Sequence, residues 1–536
     1  MKSKYIFFAV SLFAALSANA QETYENAKLA GEDLNGTARY VGMGGAMEAL
    51  GADVSTIGSN PAGIGLFRHS NVSLSAGLLM QSDGKEFSNG KKTNLSFDQI
   101  GGVYTTRTGQ KSFLNFGFNY HKSKNFDYIL NAAGSLNGSS QNKQSYIKGI
   151  LGDENNGGFY VGKNKDGQNI GYVNTTSTNV AYTWSQIDNL YWNSLFSGTG
   201  PYSYQQATGY TLDRVHTGYI GNYDFAVSGN LNDRVYLGLT FGMKDVNYKG
   251  YSEYRENLNN TPGVLVRDER KVTGSGFDIT AGVIVRPVAE SPFRIGAYVK
   301  SPTWYDLTTS NATGLVYAQG TTNKESYISN SYDFKMWTPW KFGFSLGHTI
   351  GNNIALGATY EYENYANINS RVNNGGYYDY YYDQYYESSI PDKNMNAHTK
   401  EVLKGVSTLK LGIEYKPVSN VALRAGYNYV SAMYVNDAQK DPGLASLGTS
   451  YSSTTDYTNW GEINRFTLGV GYQVKKFNID LAYQYSAQKG SFAPFSNVKD
   501  VTYTSGTTTI TESNIASITD VKNNRSQLLL TLGYRF

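Results

Sequence analysis

The five histidines of the chain are the first candidates for metal binding or acid–base chemistry. They are His69, His121, His216, His348 and His398. No two of them stand at the short spacings with which proteins present metal ligands. The sequence has no cysteine, which excludes disulfides, thiolate metal sites and a thiol nucleophile. We therefore predict no metal, no cofactor and no catalytic set, and a protein that is not an enzyme.

Two chemical alternatives stay open at the level of the sequence. A haem site needs an axial ligand from His, Met or Tyr, and the chain has 46 tyrosines. A lipid hydrolase needs a Ser–His pair, and serine is abundant. Neither alternative has a specific motif to support it, and no glycine-rich phosphate loop is found on a strand-to-helix turn.

Alternating apolar and polar residues are the main structural signal of the chain. In the segment Lys111 to Lys122, for example, aromatic and aliphatic side chains alternate with asparagine and glycine. One apolar and one polar face are typical of a strand in the wall of a transmembrane barrel.

The overall composition points the same way. Charged residues make up 17% of the chain, low against roughly 25% in soluble proteins. The mean hydropathy of −0.43 argues against a helical membrane protein, and the net charge of +3 gives no sign of nucleic-acid binding.

The spacing of these segments predicts the fold class. They form hairpins with short turns, and we count about fourteen strands, an even number as in bacterial single-chain barrels. Long loops are expected near residues 81–94, 251–268, 306–333, 368–402, 434–460 and 489–522. We predict an all-β transmembrane antiparallel β-barrel of about fourteen strands, with a small N-terminal hatch inside the lumen.

Both ends of the chain carry localisation signals. Residues 1–20 have the positive start, the apolar core and the Ala-x-Ala motif of a signal peptide, with cleavage near Ala20. Residues 21–69 are the expected hatch and 70–536 the barrel. The chain ends in an alternating strand with Tyr534 and Phe536 on its apolar face, an end typical of the signal read by the barrel-assembly machinery. We predict the outer membrane of a Gram-negative bacterium.

The hatch contains the run from Gly36 to Phe67, rich in glycine and alanine, with Asn60, Pro61, Ala62 and Gly63 near its end. Pro61 fixes its own φ and pushes Asn60 out of the α region. The spacing of apolar residues over 46–50 predicts a short helix. Small residues suit a plug in a crowded lumen; the alternative is a glycine-rich loop without a gating role.

The tetrapeptide Asn60 to Gly63, the small-residue segment Gly42 to Ala52 and the intervening Asp53 to Thr56 resemble the hatch of the FadL family. Members of this family are outer-membrane transporters of long-chain fatty acids and aromatic hydrocarbons. Further similar stretches are Thr338 to Gly343, Gly412 to Tyr429 and Arg465 to Ser486. The resemblance implies a fourteen-strand barrel, a gating role for Asn60 to Gly63, and a ligand that leaves sideways through the wall.

An apolar helical pattern stands within the polar insert 124–213. Its members are Trp184, Ile187, Tyr191 and Leu195. They predict a groove for an apolar ligand, as in the outer loop of the FadL family; the alternative is packing against neighbouring loops. The tract Gly375 to Glu387, with seven tyrosines, predicts either a loop that captures a ligand or partner or a cap over the barrel mouth.

These observations and the resemblance predict passive transport of hydrophobic or amphipathic small molecules, long-chain fatty acid-like, and the resemblance implies lateral release. The expected partners are that ligand, the lipid and lipopolysaccharide of the outer membrane, and the barrel-assembly machinery. Three alternatives remain: a FadL-like barrel that binds a surface protein or acts as a secretion shuttle without transporting, a receptor for haem or another hydrophobic ligand, and a general polar porin.

Overall fold

The structure is a computed structural model of the chain. It describes residues 22–151, 159–163, 169–173, 185–196, 204–259, 262–319, 322–441, 444, 446, 454–505 and 508–536. The predicted signal peptide, the expected cleavage at Ala20 and Trp184 lie outside the described residues.

Strands dominate the described part of the chain. They are β1 Asn71–Gln81, β2 Thr93–Arg107, β3 Phe113–Asn125, β4 Tyr128–Ser135, β5 Phe159–Lys163, β6 Asn169–Val173, β7 Ala207–Leu231, β8 Val235–Leu258, β9 Val264–Val285, β10 Arg294–Lys300, β11 Trp304–Gln319, β12 Thr322–Trp337, β13 Lys341–Ile350, β14 Ile354–Asn364, β15 Asn369–Asp379, β16 Gln384–Pro391, β17 Gly405–Val418, β18 Val421–Val430, β19 Tyr457–Val474, β20 Phe477–Ala493, β21 Val498–Ser505, β22 Thr508–Asn514 and β23 Thr519–Arg535.

The helices are few and short. They are α1 Thr23–Ala30, α2 Ala38–Gly42, α3 Gln141–Leu151, α4 Gln186–Leu190 and α5 Lys393–Val402. Two 3₁₀ helices, Val54–Gly58 and Pro61–Leu66, follow α2, and a π turn, Tyr191–Leu195, continues α4. None of the helices in the described ranges is long and apolar enough to cross a membrane.

Fourteen antiparallel strands close into a barrel, as the sequence predicted. The ladder runs through β1, β2, β3, β7, β8, β9, β10, β13, β14, β17, β18, β19, β20 and β23. Pairing of β1 with β23, from Asn71↔Arg535 to Gln81↔Arg525, closes the circle. The closure leaves no free sheet edge along this seam, which a barrel in lipid requires.

The alternation of side chains follows the predicted pattern. On β23, Leu528, Leu530 and Leu532 are exposed on the outside, whereas Leu529 and Thr531 are buried inside. The same outward apolar band continues around the wall on the other barrel strands. The band provides the lipid-facing surface and leaves the interior to polar and small residues.

Beyond this band, the structure differs from the expected long loops. Much of 251–268 and 306–333 is strand: β8 continues to Leu258, β9 begins at Val264, and β11 and β12 form one long ladder. These strand extensions could not be predicted from the sequence. Outside the membrane both faces of a strand can be polar, so the alternation of apolar and polar residues that identifies a strand is lost.

The N-terminal segment lies inside the barrel, and we call residues 22–66 the plug. Its α2 contacts β18, β19, β20 and β23, whereas its second 3₁₀ helix contacts β3, β7, β8 and β9 on the opposite wall. The predicted helix over 46–50 is wrong, since this stretch consists of turns. Gly44 and Gly45 precede it with φ of +63° and +80°, a left-handed backbone that interrupts a helix.

Candidate functional site

The plug fits the barrel because glycines of the wall let its backbone come close. A Cβ atom added to any of five wall glycines would lie between 1.9 and 2.3 Å from the nearest atom of the plug. These glycines are Gly238, Gly282, Gly357, Gly412 and Gly426. They stand on different strands around the circle, so the plug is held from several sides by contacts that any larger residue would block.

The predicted gating residues form one compact turn against the wall. The Asn60 side chain accepts a hydrogen bond from the Ala62 backbone N–H (3.2 Å) and donates to the carbonyl of Val283 on β9 (3.4 Å). The carbonyl of Gly63 accepts from the N–H of Ala52 (3.0 Å). All four residues of the tetrapeptide are buried. The structure thus brings them together as the lower anchor of the plug.

Carboxylates of the plug pair with cations of the wall. The pairs are Glu22 with Lys440, Glu25 with Arg270, Glu32 with Lys244, Lys300 and Lys341, Asp33 with Lys124, Arg465 and Arg525, and Glu48 with Lys410. Sequence reasoning missed these residues, because the members of each pair are far apart in the chain. These pairs join the acidic plug to the barrel, and one pair of the opposite sense, Arg39 of the plug with Glu414 of β17 (3.1 Å), does the same.

An apolar cluster surrounds α1 in the upper lumen, and we call it the lumen cluster. From α1 it takes Tyr24, Ala27, Leu29 and Ala30. The wall contributes Phe126, Ile220, Val246, Tyr248, Val272, Tyr305, Leu307, Tyr332, Phe334, Met336, Tyr365, Ile368 and others. Apolar side chains therefore line the inside of the barrel around α1, and α1 occupies the space between them.

The wall contains a break between β2 and β3. Their ladder extends from Gln99↔His121 to Arg107↔Phe113. Farther out, the residues from Thr93 to Phe97 pair with β1, whereas those from Lys122 to Asn125 pair with β7. Among the described residues the two edges therefore face each other without a ladder, and we call this the wall opening.

The upper border of the wall opening is formed by β4, which bends across it. The Gln81 side chain at the end of β1 donates to the carbonyl of Ile129 (2.7 Å) and accepts from its N–H (2.8 Å). The hydroxyl of Tyr128 donates to the carbonyl of Lys522 on β23 (2.8 Å). The wall opening is thus a bounded window, and the barrel is closed again above it.

The plug residue Asn35 spans the wall opening. Its Nδ2 donates to Asp98 Oδ1 of β2 (2.9 Å) and to the carbonyl of Lys122 of β3 (3.1 Å). Lys122 Nζ also donates to Ser96 Oγ across the gap (3.0 Å). A small cavity lies behind, lined by Asn35, Asp98 and Arg525 among others. Polar contacts thus bridge the window, and the plug supplies two of these three.

Three of the predicted groove residues lie in a second apolar cluster, outside the membrane band. Ile187 and Tyr191 are fully buried, and Leu195 is half-buried against them. Tyr191 donates to Gln141 Oε1 of α3 (2.8 Å). The cluster includes residues of β4, β7, β8, β9 and β20, so these side chains pack the loops onto the strand extensions. Their role as a ligand groove stays a prediction.

A buried carboxyl joins this outer cluster to β8. Glu256 Oε1 accepts hydrogen bonds from the Gln141 N–H at the start of α3 (2.6 Å) and from the Tyr254 hydroxyl (2.8 Å). Glu256 lies beyond the apolar band, roughly 40 Å along the strand from the last outward apolar residue, Met243. Burial raises the pKa of Glu256 to about 7.

The tyrosine-rich tract forms an exposed hairpin of β15 and β16. Tyr380 and Tyr381 at its tip are 89% and 86% exposed, so they project into solvent instead of covering the mouth. The base of the hairpin contacts the plug: Asn26 Nδ2 donates to Ser370 Oγ (2.6 Å), and Thr23 Oγ1 lies 3.0 Å from His398 Nδ1 of α5. The hairpin and α1 are therefore connected.

The histidines occupy separate places. His121 lies 3.4 Å from Asp224, His216 lies 2.6 Å from the Tyr248 hydroxyl, and His398 contacts the plug. Within the described ranges, no group of three His, Asp or Glu side chains is arranged to hold a metal ion.

At the C-terminus, Tyr534 packs on Phe477 (4.8 Å between ring centroids) and Phe536 is 53% exposed.

No protein-family model matches the chain, and a search of curated proteins finds no significant match. A search of solved structures finds similar chains. A FadL homologue of Pseudomonas aeruginosa has a TM-score of 0.47 and 12% identity, over 98% of this chain and 100% of that one. The toluene transporter TbuX of Ralstonia pickettii (TM-score 0.46, 12% identity, 94% and 99% covered) and the toluene transporter TodX of Pseudomonas putida (0.45, 10%, 94% and 99%) are also similar.

Proposed function

We propose that this barrel mediates passive uptake of hydrophobic or amphipathic small molecules, long-chain fatty acid-like, across the outer membrane. The single observation that carries the proposal is the position of the plug. Its helix α1 fills the space within the apolar lumen cluster, and its residue Asn35 spans the wall opening. Apolar solutes leave water at about 0.8 kcal/mol per CH₂ group, so a greasy lumen that leads to lipid is a favourable path for them.

The lumen cluster supports a site for such a molecule. In the closed state α1 occupies it with Tyr24, Leu29 and two alanines. A ligand that enters from outside takes the same space only when α1 moves. Ion pairs, polar contacts and smaller apolar clusters around 34–50 and 54–66 hold the rest of the plug against the wall. Ligand entry is thereby coupled to displacement of the plug.

The wall opening supports lateral release. Asn35 follows α1 closely in the chain, so a shift of α1 pulls its side chain away from Asp98 and the Lys122 carbonyl. The window then leads from the lumen to the outside of the barrel beyond the stacked rings of Phe97 and Tyr120, whose centroids lie 5.8 Å apart at the end of the β2–β3 ladder. Release into the bilayer keeps an apolar ligand out of water throughout.

Reversible cross-linking of the plug to the window tests this route. The chain has no cysteine, so the double variant Asn35→Cys with Asp98→Cys is joined selectively by a short bis-methanethiosulfonate reagent. We expect the cross-linked barrel, in proteoliposomes, to lose uptake of radiolabelled oleate and to regain it after reduction.

The matched control joins two cysteines within the plug. Thr37 Oγ1 donates to Asp53 Oδ1 (2.8 Å), so Thr37→Cys with Asp53→Cys takes the same reagent but leaves the plug free of the wall. We expect this variant to keep most of its uptake. Equal oleate uptake before and after cross-linking of the Asn35 pair would show that the plug does not gate this window.

A second function is favoured by the exposed hairpin: a barrel that binds a surface protein. Exposed tyrosines provide rigid, amphipathic contact area, and the base of the hairpin touches the plug. The test is purification in mild detergent of the wild type and of a variant with Tyr380, Tyr381 and Tyr382 changed to Ser. A stoichiometric protein lost only in the variant, with no bound amphiphile in either, would favour this function over uptake.

A further inference from the structure

Two buried lysines face each other directly in the wall beside the plug. Lys300 ends β10, Lys341 begins β13, and the two are partners in the ladder. Both side chains are largely buried, at 8% and 13% exposure. Like charges directly opposite on one face of a sheet are destabilising. This pair therefore requires an anion close to it.

The plug supplies that anion through Glu32. Its carboxylate accepts from Lys341 Nζ (2.6 Å), Lys300 Nζ (3.2 Å) and a third lysine, Lys244 of β8 (3.1 Å). Two wall carboxylates are also near: Asp278 lies 3.5 Å from Lys244 and from Lys300, and Glu363 lies 3.4 Å from Lys341.

The charges balance only with the plug in place. Three lysines face two wall carboxylates, so one positive charge is left over when Glu32 departs. Lys244, Lys300 and Lys341 are buried with the plug in place, and an uncompensated charge there is costly as long as α1 or another apolar group keeps water out. The site, which we call the lysine site, is therefore a place for one exchangeable carboxylate.

Apolar surface adjoins the lysine site. The cavity there is lined by the three lysines, by Leu29 and Ala30 of α1, and by Ile220 and Tyr305 of the lumen cluster. The helix α1 measures about 12 Å and is followed at once by Glu32. The apolar side of this helix therefore lies next to a carboxylate, whereas Glu25 and Asn26 of the same helix pair with Arg270 and Ser370.

We propose that Glu32 is a tethered competitor for the acidic head group of the ligand. A long-chain amphiphile with a carboxylate head takes the lysine site, its tail takes the place of α1 in the lumen cluster, and Glu32 is released. The inference rests on the proposed uptake function and adds a selection rule: the barrel prefers an anionic amphiphile to a neutral one of equal length. The exchange also makes plug displacement a consequence of recognising the head group.

A competition between two ligands of the same chain length tests this. Purified full-length barrel in a neutral maltoside detergent is incubated with equal oleate and oleyl alcohol, and native mass spectrometry measures both occupancies. We expect the wild type to favour oleate. In Glu32→Gln the oleate to oleyl alcohol ratio should rise about tenfold, as for the loss of one charged competitor contact. In Lys300→Gln with Lys341→Gln the preference should disappear.

Glu22→Gln is the matched control. It removes another ion pair of the plug, to Lys440 in the segment that follows β18, without touching the lysine site. It should leave the oleate to oleyl alcohol ratio at the wild-type value. A heat-modifiability gel identifies folded barrel in every variant.

The outcomes separate the two proposals. Equal shifts of the ratio in Glu32→Gln and Glu22→Gln, or a wild type that binds both ligands alike, would overturn the competitor role and leave uptake standing. Absence of both ligands from the wild type and from every variant would overturn the proposed uptake function itself.

Discussion

The side chain of Asn60 lies directly on the backbone of Gly282. A Cβ atom at Gly282 would come within 2.0 Å of Asn60 Oδ1 and 3.1 Å of Pro61 Cδ. The lower anchor of the plug therefore packs on a position of β9 that has no side chain. Asn60 can lie here only because residue 282 is glycine.

Gly282→Ala should displace this anchor without breaking the barrel. The new methyl group forces Asn60 away and with it the turn that follows, so the plug loosens. We expect increased conductance in planar bilayers and faster proteolysis within residues 22–66. Gly229→Ala on β7 is the matched control, because a Cβ there meets nothing within 4 Å. The same conductance in both variants would contradict a fitted anchor.

Ile187→Ala should destabilise the outer cluster. Ile187 is completely buried, and removal of a buried Ile side chain costs about 2–5 kcal/mol. Hydrogen exchange of the α4 amides should report a large loss of protection, whereas Leu195→Ala, at a half-buried position, should report less. No loss of protection in either variant would instead indicate side chains free to line an open groove.

The contact between α3 and β8 should depend on pH through Glu256. Its pKa is raised by burial from 4.5 to about 7, so the folded state binds the proton more tightly than the unfolded state. Stability from this group is therefore greatest below pH 4.5, falls as pH rises to 7, and is then constant. The expected decrease is about 3 kcal/mol.

Hydrogen exchange of the amides of α3, corrected for intrinsic rates, measures this decrease. Glu256→Gln has no proton to lose and should flatten the profile between pH 4.5 and 7. A profile with the wild-type slope in this variant would assign the dependence to other groups.

Deletion of Phe536 should impair assembly more than stability. The residue is half exposed and packs only loosely on Tyr534, with ring centroids 5.8 Å apart. We expect less protein in isolated outer membranes but an unchanged unfolding midpoint after refolding in detergent. Phe477→Ala removes an exposed aromatic from the neighbouring strand and should assemble normally; a comparable assembly defect there would argue against a terminal signal.

The barrel strands and the presence of a plug could be predicted from the sequence, because their signals lie within short segments of the chain. Alternation on single strands predicts the wall, and the glycine-rich run before β1 predicts a small segment packed against it. The turn at Asn60 is equally local, since Pro61 restricts its own φ and that of its neighbour. These features need no knowledge of which strand lies next to which.

The lysine site and the wall opening need that knowledge. Glu32 meets Lys244, Lys300 and Lys341 over separations of 212, 268 and 309 residues. Asn35 is one of many asparagines until the edges of β2 and β3 are seen to separate around it. Contacts of this kind depend on the register of the closed barrel, which one sequence does not specify pair by pair.

The pairing of β1 with β23 has a consequence for biogenesis. The plug is the first part of the described chain to be made, yet it contacts β19, β20 and β23 near the end. The seam from Asn71↔Arg535 to Gln81↔Arg525 joins only when the last strand arrives. The wall thus encloses a segment that precedes it in the chain, and a chain that lacks β23 exposes both an unpaired edge on β1 and a plug without its contacts to that strand. Closure of the barrel and completion of the seat of the plug therefore depend on the same strand.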